Sequence, residues 1–163
     1  MKQMTKRGYT NILNEINRLW EQERPIVVEE VYQAALLGDR SENAAYIYGK
    51  QRLRKIDSRI RYLKKKISDV QIVDTTRLPP NDVISFGAWV EIEDIEGEEI
   101  KLIQLVDERE SDPNQNRISI QSPVGSALMG RSAGEDIEIH LPKGTKVLSI
   151  LLVHYGPKPL EES

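Results

Sequence analysis

Two carboxylates three positions apart, Asp39 and Glu42, stand in the segment Leu37–Gly38–Asp39–Arg40–Ser41–Glu42–Asn43–Ala44. Carboxylate oxygens suit a hard cation such as magnesium, which is often held through one or two of them. Two carboxylates alone make a poor metal site, but they can complete one whose other ligands come from elsewhere. A structural part fits the same residues. Asp39 followed by Glu42 has the layout of a capping box with Asp in place of Ser or Thr, and Ser41 is a second candidate cap. An acid in a first helical turn also suits the helix dipole. The two readings are compatible, since one carboxylate can cap while the other points outward.

The segment lies between two helical patterns. From Thr5 to Leu37, Tyr9, Ile12, Ile16 and Leu19 recur at three- and four-residue steps, and Val27, Val31 and Ala34–Ala35 continue them. Pro25 interrupts this stripe, so we expect either a kink near residues 22–24 of one helix or a break between two. Gly38 is placed to end the helix. A second helix is expected to start at once, with Leu53, Ile56, Ile60, Leu63, Ile67 and Val70 spaced as a coiled-coil seam. Two helices joined by so short a turn must run antiparallel, each about 45 Å long. The expected result is a rod with the carboxylates at its end.

Charge is distributed unevenly along the 163 residues. The net value of −3 conceals a balance of zero over residues 1–37, +6 over 38–70 and −9 over 71–163. Lys50, Arg52, Arg54, Lys55, Arg59, Arg61, Lys64, Lys65 and Lys66 share the second helix with Asp57 as the only acid among them. Ordinary exposed helices mix signs. Some of these cations can pair with Glu15, Glu21, Glu23, Glu29 or Glu30 across the hairpin. What remains is either a solvated face or a positive stripe for a phosphate backbone, with electrostatic contact rather than sequence readout.

Other chemistries are excluded or weak. The chain has no cysteine, which removes disulfides, zinc ribbons and thiol catalysis. Two histidines, His140 and His154, cannot build a multi-histidine metal site and read as ordinary strand residues. No glycine-rich phosphate loop is present. No apolar run approaches the ~20 residues of a membrane helix, and no signal peptide is evident, so a soluble cytoplasmic protein is expected.

After a linker at residues 75–81 the period changes from helix to strand. We expect strands over Ala88–Glu93, Ile100–Val106, Arg117–Gln121, Ile137–Leu141 and Val147–Tyr155, a longer loop at 111–116 and a short helix over Pro123–Met129. Phe86 and Trp89 are candidate core residues. Trp20, beside the first seam, either packs locally or touches the second domain. The expected class is α+β: a long antiparallel coiled-coil hairpin over residues 1–74, a small, mostly antiparallel sheet domain over 82–156, and a disordered tail over 157–163.

At this point the chain resembles the bacterial Gre transcript-cleavage factors, closer to their GreB branch. The resemblance spans about residues 5–155. It is carried by Glu23–Arg24–Pro25, the tip from Leu37 to Ala44, Arg52–Leu53–Arg54–Lys55–Ile56–Asp57, Phe86–Gly87–Ala88–Trp89–Val90–Glu91–Ile92 and Ser122–Pro123–Val124–Gly125–Ser126–Ala127–Leu128. It implies an FKBP-like fold for the second domain and an accessory factor that is not itself an enzyme; the intramolecular hairpin argues for a monomer. It implies that the hairpin enters the secondary channel of RNA polymerase. There Asp39 and Glu42 would help hold a second magnesium ion of the polymerase's active centre and orient water against the RNA 3′ end of a backtracked complex. The protein would have no cofactor of its own. By the same resemblance Ser41 and Asn43 seat the tip, and Lys50, Arg52, Arg54, Lys55, Arg59 and Arg61 face the extruded RNA. Ala45 stands where many members have another acid. That departure keeps open an alternative, a non-cleaving regulator that occupies the channel and blocks incoming nucleotides.

Overall fold

The computed structural model describes residues 2–38 and 42–160. The chain divides into two compact units: residues 9–69 form one, and the first eight residues together with everything from Val70 onward form the other.

The first unit is the helical hairpin. Helix α1 (Lys6–Arg18) runs through a wide π turn at Leu19–Glu23 into α2 (Arg24–Ala35), and α3 (Ala44–Lys66) returns. The π turn explains how Pro25 is accommodated. Proline lacks an N–H and crowds the carbonyl four residues back. The backbone instead widens, the Arg24 N–H bonding to the carbonyl of Leu19, and the helix continues without a break. Ile16, Leu19, Ile60 and Leu63 form the buried seam, flanked by Ile12, Ile56 and Ile67. Each such side chain buried contributes roughly 1.5–3 kcal/mol. Val27 and Ala34 extend the contact toward the turn. Gly49 is the close approach: a Cβ there would lie 2.8 Å from Val31 Cγ2.

Two expectations about this unit are corrected. Helix α3 does not follow Gly38 directly but begins at Ala44. Val70 is not part of the seam; it opens strand β2 (Val70–Val73), which pairs in parallel with β1 (Lys2–Thr5). The sequence pattern does not reveal that pair.

The second unit is a curled mixed sheet of five strands, β3 (Trp89–Asp94), β4 (Glu99–Val106), β5 (Arg117–Ser119), β6 (Asp136–Leu141) and β7 (Gly144–His154), in the order β5-β4-β3-β7-β6. Three of its pairings are antiparallel; β4 and β5 are parallel. Alternation along β6 puts Ile137 and Ile139 inside and Glu138 and His140 outside. They join Ile84, Val90, Ile103, Leu105, Leu148 and Ile150 in one core. Helix α4 (Pro123–Leu128) adds Leu128; Ser122 caps it by accepting from the Gly125 N–H at 3.0 Å. Phe86 and Trp89 are buried, as expected.

Candidate functional site

The described part of the tip is built around Asn43. Its Oδ1 accepts from the Tyr46 N–H at 3.1 Å, which makes it the N-cap of α3. Its Nδ2 donates to the Ala34 carbonyl at 2.6 Å, near the end of α2. One short side chain thus satisfies an orphan donor of α3 and adds a second bond to the Ala34 carbonyl, which also accepts from the Leu37 N–H at 3.2 Å. The capping box proposed for Asp39 and Glu42 is overturned, because Glu42 precedes the cap and no acid lies in the first turn of α3. The helix start therefore makes no demand on Glu42. Its side chain is exposed and has no ion-pair partner among the described residues. Asp39 and Ser41 lie outside the described residues. Gly38 has φ +126°, a region that L side chains rarely adopt, and so turns the chain just past α2. Beside the turn, Leu36, Leu37 and Tyr48 expose their side chains to solvent.

The cations of α3 divide into two groups. Arg59 makes a two-pronged pair with Glu15, Nε to Oε1 at 3.0 Å and Nη2 to Oε2 at 3.2 Å. Arg52 pairs with Glu30 at 2.6 Å. Asp57, the lone acid of this stretch, receives Arg24 at 2.9 Å. These partners run in opposite directions along the two helices, so the pairs also mark the hairpin's register. Hydrogen bonding to Asp57 raises the Arg24 pKa, and hydrogen bonding to Glu15 raises that of Arg59. Glu23 pairs instead with Arg18 on its own arm of the hairpin.

Lys50, Arg54 and Lys55 have no ion-pair partner among the described residues, and Arg61 reaches only the Ser58 hydroxyl, at 3.1 Å. Arg54, Lys55 and Arg59 line an open groove with Gln51, Ser58 and Tyr62, positions that share one face of the helix beside the seam. Tyr62 and Tyr48 are more than half exposed. Arg59 lies 5.4 Å from the Tyr62 ring centroid and Arg52 5.7 Å from that of Tyr48. The face thus combines unpaired cations with aromatic surfaces, the combination that holds single-stranded nucleic acid. The sequence showed the cations but not that Arg52 and Arg59 are committed to glutamates.

Trp20 is exposed with Arg24 stacked over its ring at 4.9 Å. No group of three acidic or histidine side chains comes together among the described residues. His140, on β6, lies 3.2 Å from the Thr145 hydroxyl through Nδ1, and His154, at the end of β7, bonds the Pro157 carbonyl through Nε2 at 2.9 Å. Among the described residues no helix is long and apolar enough to cross a membrane.

Two family models match this chain: "Transcription elongation factor, N-terminal" over residues 2–72 and "Transcription elongation factor, GreA/GreB, C-term" over residues 79–155. Transcription elongation factor GreB of Haemophilus ducreyi is 46% identical over 157 residues, covering 96% of each chain. The protein of the same name from Yersinia pestis is 43% identical over 154 residues, 94% of this chain and 89% of its own. The crystal structure of the GreA factor homolog 1 protein of Thermus thermophilus aligns over 94% of this chain and 99% of its own, at 25% identity and a TM-score of 0.42. A helical hairpin ahead of a curled sheet, matched by both family models and by relatives of nearly equal length, places this chain in the GreA/GreB family of transcription elongation factors, on its GreB-like side.

Proposed function

We propose that this protein stimulates RNA polymerase to cleave its own backtracked transcript. The hairpin enters the polymerase's secondary channel and delivers Asp39 and Glu42 to the active centre. There they help hold a magnesium ion that the polymerase's own ligands hold only in part, and they orient a water for attack on the RNA. A two-metal site stabilises both the attacking and the leaving oxygen of such a displacement, and carboxylates suit its hard cation. The protein supplies ligands and position; the polymerase supplies the chemistry, so the factor acts as a monomeric accessory in the cytoplasm and not as an enzyme.

The observation that carries this reading is the release of Glu42 from structural duty. Asn43 does the capping, and Glu42 stands exposed at the end of the hairpin. The basic face of α3 supports it: Lys50, Arg54, Lys55 and Arg61 remain for the extruded RNA, while Arg52 and Arg59 brace the rod.

The test is RNA cleavage in purified, backtracked elongation complexes with labelled transcript and magnesium, with the protein added or omitted. Shortened RNA that can be extended again is expected, with no cleavage of free RNA by the protein alone. Binding to polymerase without shortening would replace this reading by the channel-blocking regulator.

A further inference from the structure

We propose that the sheet unit carries a binding pocket for a phosphate-class dianion, walled by Arg7, Trp89, Arg117 and Lys158. These residues and the amide-bearing stretch 114–116 line a cavity of about 410 Å³ with no carboxylate in its wall. Arg7 comes from the first turn of α1, Trp89 from the start of β3, Arg117 from the start of β5 and Lys158 from beyond β7. The fold thus gathers three cations and an indole from four distant segments. Lys158 belongs to the stretch read from sequence as a disordered tail. It lies 5.8 Å from the Trp89 ring centroid, and its segment is tied back by the hydrogen bond between His154 Nε2 and the Pro157 carbonyl at 2.9 Å.

Two of the lining residues each carry a buried, unmet donor. Trp89 and Arg117 are both more than nine-tenths buried, and neither the indole Nε1 nor the Arg117 Nε has a hydrogen-bond acceptor. A buried donor without an acceptor bears its full desolvation penalty, so two on lining residues point to an acceptor from outside the chain. The acids nearest Arg117 leave its Nε without an acceptor. Glu110 lies 3.9 Å from Arg117 Nη2, but its oxygens accept from the backbone N–H and hydroxyl of Thr5. Asp112 accepts from the Asn114 N–H at 3.2 Å. Burial, and then the neighbouring Arg7, lower the Arg117 pKa, against the raising effect of Glu110 and Asp112. With Arg117 beside Glu110, a monoanion would neutralise one of the two remaining cations, Arg7 and Lys158. A phosphate dianion neutralises two and presents acceptors in several directions, to the indole, the guanidinium and the ammonium. This pocket is independent of the cleavage reading, and either can fail without the other.

Trp20→Phe makes Trp89 the sole tryptophan of the chain, so its emission reflects the state of the cavity. The full chain is titrated with inorganic phosphate at constant ionic strength, with chloride and acetate as controls. We expect a saturable change in emission and a rise in thermal midpoint with phosphate. We also expect about tenfold weaker binding in Arg7→Gln and in Lys158→Gln, since each substitution removes one charge-assisted hydrogen bond. Both side chains are exposed, so neither substitution endangers the fold. A nucleoside monophosphate in a second arm distinguishes a nucleotide's terminal phosphate, which binds tighter than inorganic phosphate, from the free anion. An equal response to acetate would overturn the dianion assignment. No saturable response, or an unchanged response in both variants, would overturn the pocket.

Discussion

The side-chain amide of Asn43 donates to the carbonyl of Ala34 at 2.6 Å, so the last turn of α2 and the first turn of α3 are closed by the same residue. Asn43→Ala removes this bond and the N-cap together. Removing a cap costs about 1 kcal/mol and removing a hydrogen bond a similar amount. We expect the hairpin to lose about 1–2 kcal/mol in urea unfolding followed by helical circular dichroism. Asn43→Ser, which can cap but cannot reach Ala34 as a donor, should recover part of it. An Asn43→Ala protein as stable as the parent would show that water replaces both bonds at no cost.

The tip carboxylates are tested by Asp39→Ala/Glu42→Ala. Stimulated cleavage should fall by roughly 10–100-fold or more, the range seen when groups that support a metal site are removed. Polymerase binding should be unchanged in a competition assay. Normal cleavage by this variant would move the metal-supporting role to other residues.

Gly49→Ala sets two effects against each other. Alanine gains about 1 kcal/mol of helix propensity over glycine. Its Cβ would lie 2.8 Å from Val31 Cγ2, and overpacking of this kind costs about 1–3 kcal/mol. Net destabilisation is expected. Gly49→Ala/Val31→Ala removes the clash and should be the more stable of the two in thermal melts.

The two groups of arginines predict different behaviour. Arg54→Gln/Lys55→Gln should weaken binding to backtracked complexes. The slope of log affinity against log salt should fall by about 0.7 for each single-strand phosphate that is no longer neutralised. Hairpin stability should be unaffected. Arg59→Gln breaks the pair with Glu15, so its first effect is on unfolding. Equal salt slopes for the parent and both variants would argue against RNA binding at Arg54 and Lys55.

Glu110 supplies a pH prediction for the sheet unit. Burial raises its carboxyl pKa, against the lowering effect of the Thr5 bonds. The folded state therefore binds this proton more tightly than the unfolded chain, where the value is about 4.3. That contribution is fully present below the unfolded value and is lost as pH rises through the folded one. Asp94, held low chiefly by its bond to Lys146, has the opposite sign. A difference between two proteins isolates Glu110: Glu110→Gln should gain thermal midpoint relative to the parent as pH rises from about 4. A constant difference across that range would show that Glu110 titrates normally.

The hairpin was legible in the sequence because a helix face repeats every 3.6 residues. Leu53, Ile56, Ile60 and Leu63 leave that period visible over many turns. The alternation of Ile137 and Ile139 with Glu138 and His140 made β6 equally readable. The cap was harder to place, since Asp39, Ser41 and Asn43 all have suitable side chains within five residues. In the fold Asn43 caps the helix through the Tyr46 N–H and also donates to the Ala34 carbonyl. Four-residue strands such as Lys2–Thr5 and Val70–Val73 are too short to show a period, and their pairing exists only once the chain has folded back. The same holds for the cations. Sequence by itself determined how many basic residues α3 carries, because composition is local. Which of them Glu15 and Glu30 neutralise, and that Arg7, Trp89, Arg117 and Lys158 wall one cavity, was decided by tertiary structure, because those distances depend on segments that sequence does not place side by side.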